Sequence, residues 1–157
     1  ILKNHYKNIT VFFGYTKDTV SEVALELFKT GRTNANDGGI DFVMRPVGRF
    51  FQVTEVNNYD KYLLDIDKVM HFPISFVIKT NKSKVNILKD LEKYILERSG
   101  GMAVLEERYK NAIEEIITIN ELKTWIEELN DNDIDNIIRD IDVYYRLEMN
   151  IEAQDDE

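Results

Sequence analysis

The spacing of apolar residues changes character once along this chain, and that change constrains the fold more than any single motif does. Up to about Lys82, short β-branched and aromatic runs alternate with stretches whose apolar residues recur at helical spacing; from Ser83 onward only helical spacing remains. "ITVFFGY" (Ile9 to Tyr15) reads as a strand. In "TVSEVALELFKTG", Val20, Val23, Ala24, Leu27 and Phe28 fall at helical spacing and Gly31 supplies a stop, which predicts a helix. "GRTNAND" is turn chemistry, and "GGIDFVMR" and "RFFQVTEV" are two strands joined by "RPVGR", where Pro46 presets φ and Gly48 closes the turn. "YDKYLLDIDKVM" carries Tyr59, Tyr62, Leu63, Ile66, Val69 and Met70 on one helical stripe, and "FPISFVIKT" is a short apolar strand.

The later part reads as helices throughout. "VNILKDLEKYILERSGG" places Ile87, Leu88, Leu91, Tyr94 and Ile95 on one face before a Gly100-Gly101 break. "MAVLEERYKNAIEEIITI", "NELKTWIEEL" and "DIDNIIRDIDVYYRLEM" follow, divided by polar punctuation. The expected architecture is therefore an α/β core over residues 1–82 with a mixed sheet flanked by helices, an α-helical subdomain over 83–150, and an acidic tail over 151–157. No repeat or Pro/Ser-rich linker separates core from helices, so the helices are expected to pack on the core as an appendage.

At 157 residues and 43% hydrophobic content the chain suits one globular unit with a real core. No apolar run approaches the roughly 18 residues of a membrane-spanning helix. The opening "ILKNHYKN" has neither an initiator Met nor the order of a secretory signal, which reads as a piece of a longer or processed protein. The absence of Cys removes thiolate zinc sites and Cys nucleophiles and is consistent with a cytoplasmic setting; two histidines, His5 and His71, make a His-based zinc site a poor expectation. The formal charge of −9 argues against nucleic-acid binding, because neutralising phosphates needs a basic surface. The acids crowd the later helices and "EAQDDE", however, and the first half is closer to neutral.

Strand alternation places Asp41 with Val43 and Arg45, and Gln52 with Thr54, so an antiparallel hairpin allows Asp41, Gln52 and Thr54 to share one face. Glu55 then points away unless a bulge re-aims it. "NDGGIDFV…GRFFQVTEV", with a helix before and a helix and strand after, resembles the PD-(D/E)XK nuclease superfamily, and most closely its Mrr-type restriction endonuclease branch. The resemblance is close over about Asn36 to Val56, extends by element order to about Asp18 to Thr80, and does not cover the helical half.

What it implies is a restriction-endonuclease-like fold and Mg²⁺-dependent hydrolysis of double-stranded DNA, with Mn²⁺ as an alternative cation. Asp41 would be the metal-binding aspartate, Gln52 would fill the Glu/Gln position, and Val53 would lend its backbone carbonyl. Thr54 stands where the family has Lys, so either another cation substitutes or the site is crippled; Lys61, Lys68 and Lys79 are the nearest in sequence, with Lys61 the first choice because its helix directly follows the second strand. Duplex cleavage also implies a homodimer, expected to form through the helices.

Plainer readings stand beside these. Glu22, three residues after Thr19, has capping-box spacing, and Glu26 on the same helical side is a solvated acid, although the resemblance implies a helix carboxylate as a ligand in some members. Asp37 is a turn residue, Lys61 and Lys68 lie on a polar helix face, and Tyr144 and Tyr145 are packing or partner-facing residues. Two other functions follow from the same residues. One is a nuclease-fold domain without activity that binds DNA or protein; the other is an interaction module built on the acidic helices.

Overall fold

In the computed structural model, residues 1–7, 9–14, 16–30, 40–55 and 58–149 are described. The turn read over "GRTNAND", Asp37 included, the Gly38-Gly39 pair and the acidic tail lie outside them. Among the described residues no helix is long and apolar enough to cross a membrane.

The architecture is α/β, with a mixed five-stranded sheet. The elements run α1 (Leu2–Tyr6), β1 (Thr10–Phe13), β2 (Ser21–Ala24), β3 (Glu26–Lys29), β4 (Phe42–Arg45), β5 (Arg49–Thr54), α2 (Tyr59–Lys68) and β6 (Ile74–Ile78). They continue with α3 (Lys84–Ser99), α4 (Ala103–Ala112), β7 (Ile113–Ile117), α5 (Ile119–Glu127) and α6 (Asp131–Met149). The sheet order is β3-β4-β5-β6-β7; β3, β4 and β5 pair antiparallel, and β5, β6 and β7 pair parallel. The expected hairpin is present, with Phe42 opposite Phe51 and Met44 opposite Arg49, and Gly48 at φ 71° returns the chain. Strands β1 and β2 form a separate antiparallel pair, where a Cβ on Gly14 would come within 2.8 Å of the Val20 Cα.

Two expectations fail, and for related reasons. The helix expected over Thr19 to Phe28 is β2 and β3, joined at Leu25. Its apolar residues fit a helical stripe, but the same stretch alternates as Leu25 and Leu27, which pack on the core cluster of Tyr6, Met44 and Phe51; over so short a window both periods fit, and pairing with β1 and β4 decides between them. Glu22 and Glu26 are thus strand residues, and the capping box in this region is Thr16 with Thr19 on a 3₁₀ turn over Lys17–Thr19.

The second failure lies in "MAVLEERYKNAIEEIITI". The helix stops at Ala112, and Ile113–Ile117 is β7, paired parallel with β6. Residues after Ser83 therefore contribute a strand to the sheet, and the pairing crosses the boundary expected at 82/83. Ile116 packs with one core cluster and its neighbour Ile117 with the other. A strand buried on both faces needs adjacent apolar residues, and the i, i+3, i+4 pattern of Ile113, Ile116 and Ile117 mimics a helix.

Every residue of β6 is buried, so this strand divides the interior into two layers. On one side α2, α3 and α4 bring Tyr62, Leu63, Ile66, Ile87, Leu91, Ile95 and Tyr109 over Ile74, Phe76 and Ile78. On the other side Tyr6 of α1 meets Met44, Phe51, Val77 and Ile117, with Leu122 and Trp125 of α5 packed against them. Asp67, Arg98 and Tyr109 tie α2, α3 and α4 together, with Arg98 Nη2 to Asp67 Oδ2 at 3.0 Å and the Tyr109 hydroxyl donating to Asp67 Oδ1 at 2.8 Å. Met70, expected on the α2 stripe, lies past the helix end at φ 53° and is exposed.

Placing β7 in this core has a measurable consequence. Truncating Ile116 to Ala should destabilise the whole chain by about 2–5 kcal/mol in one cooperative transition, the cost of removing a fully buried branched side chain. Val104, exposed on α4, serves as the control: its replacement by Ala should stay within about 0.5 kcal/mol. Denaturant melts of both variants read the difference.

Candidate functional site

The parallel strands β5, β6 and β7 end together, and each is followed by a helix N-terminus: Asn58 caps α2, Ser83 caps α3 and Thr118 caps α5 with side-chain bonds to their first turns. Strand β4 runs the opposite way, so its start, with Asp41, lies at the same edge of the sheet. In open α/β sheets this carboxyl edge is where ligands are generally held.

Asp41 sits one residue before β4. Its amide donates to the Phe51 carbonyl at 2.9 Å, and its own carbonyl accepts from the Thr30 amide at 2.9 Å. Its carboxylate oxygen Oδ2 accepts from the Val53 amide at 2.7 Å. The side chain therefore continues the β4–β5 ladder where the paired backbone stops, satisfying a β5 donor that would otherwise face the strand end. This places the carboxylate along the β5 edge, next to Gln52 and Val53, instead of perpendicular to the sheet as simple alternation expects. The contribution of Val53 seen here is its N–H.

Gln52 and Thr54 do share a face. They alternate with Phe51 and Val53 and lie on the side of Phe50, under α2 and α3. Gln52 is 93% buried by its 7% relative exposure, and its Oε1 has no hydrogen-bond partner among the described residues. A buried amide oxygen without a partner is costly, on the order of 1–3 kcal/mol, and so marks a position where a ligand or water would be accommodated. Thr54 is also buried, and its hydroxyl shares a hydrogen bond with that of Tyr62. Burial of Tyr62 pushes its phenol up to about 12; the neighbouring Tyr59 adds to this, and the Thr54 bond opposes it. Thr54 thus serves the packing of α2 on the sheet.

The lysines separate. Lys68 is in the last turn of α2, at the far end from Asp41, and pairs with the buried Asp65 at 2.9 Å. Lys61 is exposed in the first turn of α2, on the side away from Tyr59, Tyr62, Leu63 and Ile66, so its stem leaves the sheet. Lys79 directly follows β6 at the same edge as Asp41: its amide donates to the Thr54 carbonyl at 2.9 Å and its ammonium meets Glu55 Oε1 at 2.9 Å. That pair is exposed and contributes little to stability. Beside it, Lys82 and the Tyr59 hydroxyl both donate to Asp90 Oδ2, at 2.9 Å and 2.8 Å. The Lys82 bond, then that of Tyr59, holds the Asp90 carboxyl below its usual range. The Lys82–Asp90 pair had no signal in the sequence, because the two residues lie on either side of the α3 cap.

The donor set suits a hard divalent cation in type. The Asp41 carboxylate, bonded to the β5 amide of Val53, and the unpartnered amide oxygen of Gln52 on β5 are both oxygen donors. Among the described residues no three or more His, Cys, Asp or Glu side chains converge as a metal cage. A cation held by Asp41 and Gln52 would keep most of its shell for water and phosphate oxygens, as Mg²⁺ commonly does.

The Thr54–Tyr62 contact is open to titration. Because folding raises the Tyr62 pKa, the folded state holds its proton where the unfolded chain has lost it. The associated stability is complete below about pH 10 and is lost as pH rises towards about 12. Removing the opposing hydroxyl in Thr54→Val should move the Tyr62 midpoint higher still, read by ultraviolet tyrosinate absorbance. A midpoint unchanged or lower would separate Thr54 from Tyr62. Comparison with known proteins leaves these geometric facts to stand by themselves: no family model, no curated protein and no solved structure matches the chain.

Proposed function

We propose that the chain is a metal-dependent endonuclease acting on double-stranded DNA, with Asp41 and Gln52 as its cation-holding residues. The observation that supports this best is the unpartnered, buried Gln52 Oε1, on the strand whose next amide, Val53, is held by the Asp41 carboxylate, toward the edge where three helix N-termini gather. A bound Mg²⁺ or Mn²⁺ would supply an activated water and neutralise charge building on the phosphate. Asp41 provides the negative charge that holds the cation, while its bond to the Val53 amide fixes the carboxylate in place. Gln52 contributes a neutral oxygen, and the Val53 carbonyl is the third donor that the resemblance implies.

The positive charge that Thr54 lacks has two sources on this edge, Lys61 and Lys79. Lys79 is the stronger candidate because it emerges from the strand next to β5, whereas Lys61 leaves from the solvent side of α2. Its ammonium rests on Glu55, an exposed pair that a phosphate could displace. The burial of Thr54 against Tyr62 favours a second reading, a nuclease-like domain that binds DNA or protein without cutting, because the usual lysine position is used for packing.

Asp41→Asn distinguishes chemistry from structure. The amide keeps an oxygen to accept from Val53, so stability should change little, while the charge that holds the cation is gone. Cleavage of plasmid or genomic DNA with Mg²⁺ or Mn²⁺ should fall on the order of 100-fold or more, with the melting temperature nearly unchanged. Lys79→Ala should slow cleavage while leaving DNA binding largely intact, and Lys61→Ala should matter less. Wild-type cleavage by Asp41→Asn would end the assignment of this hairpin; DNA binding by an uncut, inactive wild type would select the second reading.

A further inference from the structure

Helix α6 (Asp131–Met149) is 19 residues long, yet Asp133 is its one buried residue. Its inner side is tied to the body through Lys7–Asp133, Lys3–Asp140 at 2.9 Å and Lys29–Glu148 at 3.2 Å. Between it, α1 and the sheet lies a cavity of about 460 Å³ whose lining includes Leu27, Phe42, Val77, Ile137, Ile141 and Tyr144. The apolar arc of the helix is wider than this inner contact. Ile134, Ile138, Ile141 and Tyr145, spaced four, three and four residues apart, form a stripe along its edge, with Ile141 also lining the cavity, and each is between 41% and 63% exposed. That spacing is the seam of a helix pair, not the pattern of a solvated face.

The charges beside the seam say what kind of helix fits it. One position round from each seam residue stand Asp135, Arg139, Asp142 and Arg146, all exposed and alternating in sign. Read backwards, the series becomes Arg, Asp, Arg, Asp. A second helix of the same sequence laid antiparallel therefore sets Asp135 against the other copy's Arg146, and Arg139 against the other copy's Asp142, each contact occurring twice under two-fold symmetry. In a parallel pair these flanks would lie on opposite sides of the seam and would not meet, so the self-complementary series favours the antiparallel arrangement. Arg146 already donates to Asp142 Oδ2 at 2.9 Å within the helix, which leaves the other carboxylate oxygen for an incoming guanidinium. We infer that two copies of this chain associate through α6, antiparallel, along the Ile134, Ile138, Ile141 and Tyr145 seam.

The full chain and two charge variants test this by sedimentation equilibrium at high micromolar concentration. The wild type should sediment as a dimer. Arg139→Glu with Arg146→Glu makes the flank wholly acidic, and Asp135→Lys with Asp142→Lys makes it wholly basic; each variant alone should be monomeric. An equimolar mixture of the two should sediment as a heterodimer, a rescue that general loss of structure would not give. Ile138→Asp, which leaves the flank intact, should also be monomeric. A monomeric wild type, a charge variant that dimerises as well as the wild type, or a mixture that stays monomeric would each overturn the proposal. None of these readouts depends on nuclease activity.

Discussion

Strand β6 is the constraint on which the rest of the structure depends. Its five residues, Ile74 to Ile78, are buried without exception, so both faces of the sheet must be covered at this strand. A parallel strand in that position needs crossover connections, and the chain supplies them on a single face, with α2 between β5 and β6 and α3 and α4 between β6 and β7. The other face is left to α1 and α5, whose Tyr6, Leu122 and Trp125 complete the smaller cluster. The parallel run of β5, β6 and β7 thus fixes which end of the sheet collects the helix N-termini, the end at which Asp41 precedes β4 and Lys79 follows β6.

Polar groups inside this core divide into those with partners and those without, and the division carries information. Arg49 enters the layer that holds Tyr6 and Phe51 with its charge balanced, Nη2 meeting Glu115 at 2.5 Å and Nε donating to Ser75 Oγ at 3.0 Å. Tyr6 lies beneath its guanidinium, and burial raises that phenol above its ordinary value. Such a network is a structural use of charge, since every member answers another. Gln52 has no equivalent. Its amide oxygen occupies a strand position that an apolar residue would fill at lower cost, which is the pattern expected where local stability yields to a site.

Elements whose periodicity was long or unambiguous were legible in the sequence. The α2 and α3 helices, the "PISFVI" strand, the hairpin about Pro46 and Gly48 and the Gly100 stop, at φ 59°, stand as the residues suggest, except that Met70 falls past the end of α2 and Leu88 is exposed on α3. Short β-branched runs were not legible. Val20 to Phe28 and Ile113 to Ile117 satisfy helical spacing over one or two turns, and only long-range pairing selects the strand. The site was half legible for the same reason. Alternation correctly put Gln52 and Thr54 on one face, but it cannot foresee that Asp41 turns its carboxylate into the ladder to take the Val53 amide. Nor can it tell that α2 directs Lys61 outward, which depends on the packing of the whole helix.

The acidity of the chain acquires a location that its total conceals. Of the −9 formal charge, part sits on α6, where Asp133, Asp140 and Glu148 engage Lys7, Lys3 and Lys29. Those lysines lie beside α6 on the face away from α2 and α3, and while they are bridged they offer less to a phosphate backbone. The lysines at the carboxyl edge differ in kind. Lys61, Lys79 and Lys82 flank the ends of β5 and β6, and the partners of the last two, Glu55 and Asp90, are exposed carboxylates. An exposed pair is weak and screened by salt, so a phosphate can compete for its cation. Charge geometry therefore separates the molecule into a face whose lysines α6 engages and an edge whose lysines Lys79 and Lys82 pair with Glu55 and Asp90 at the surface.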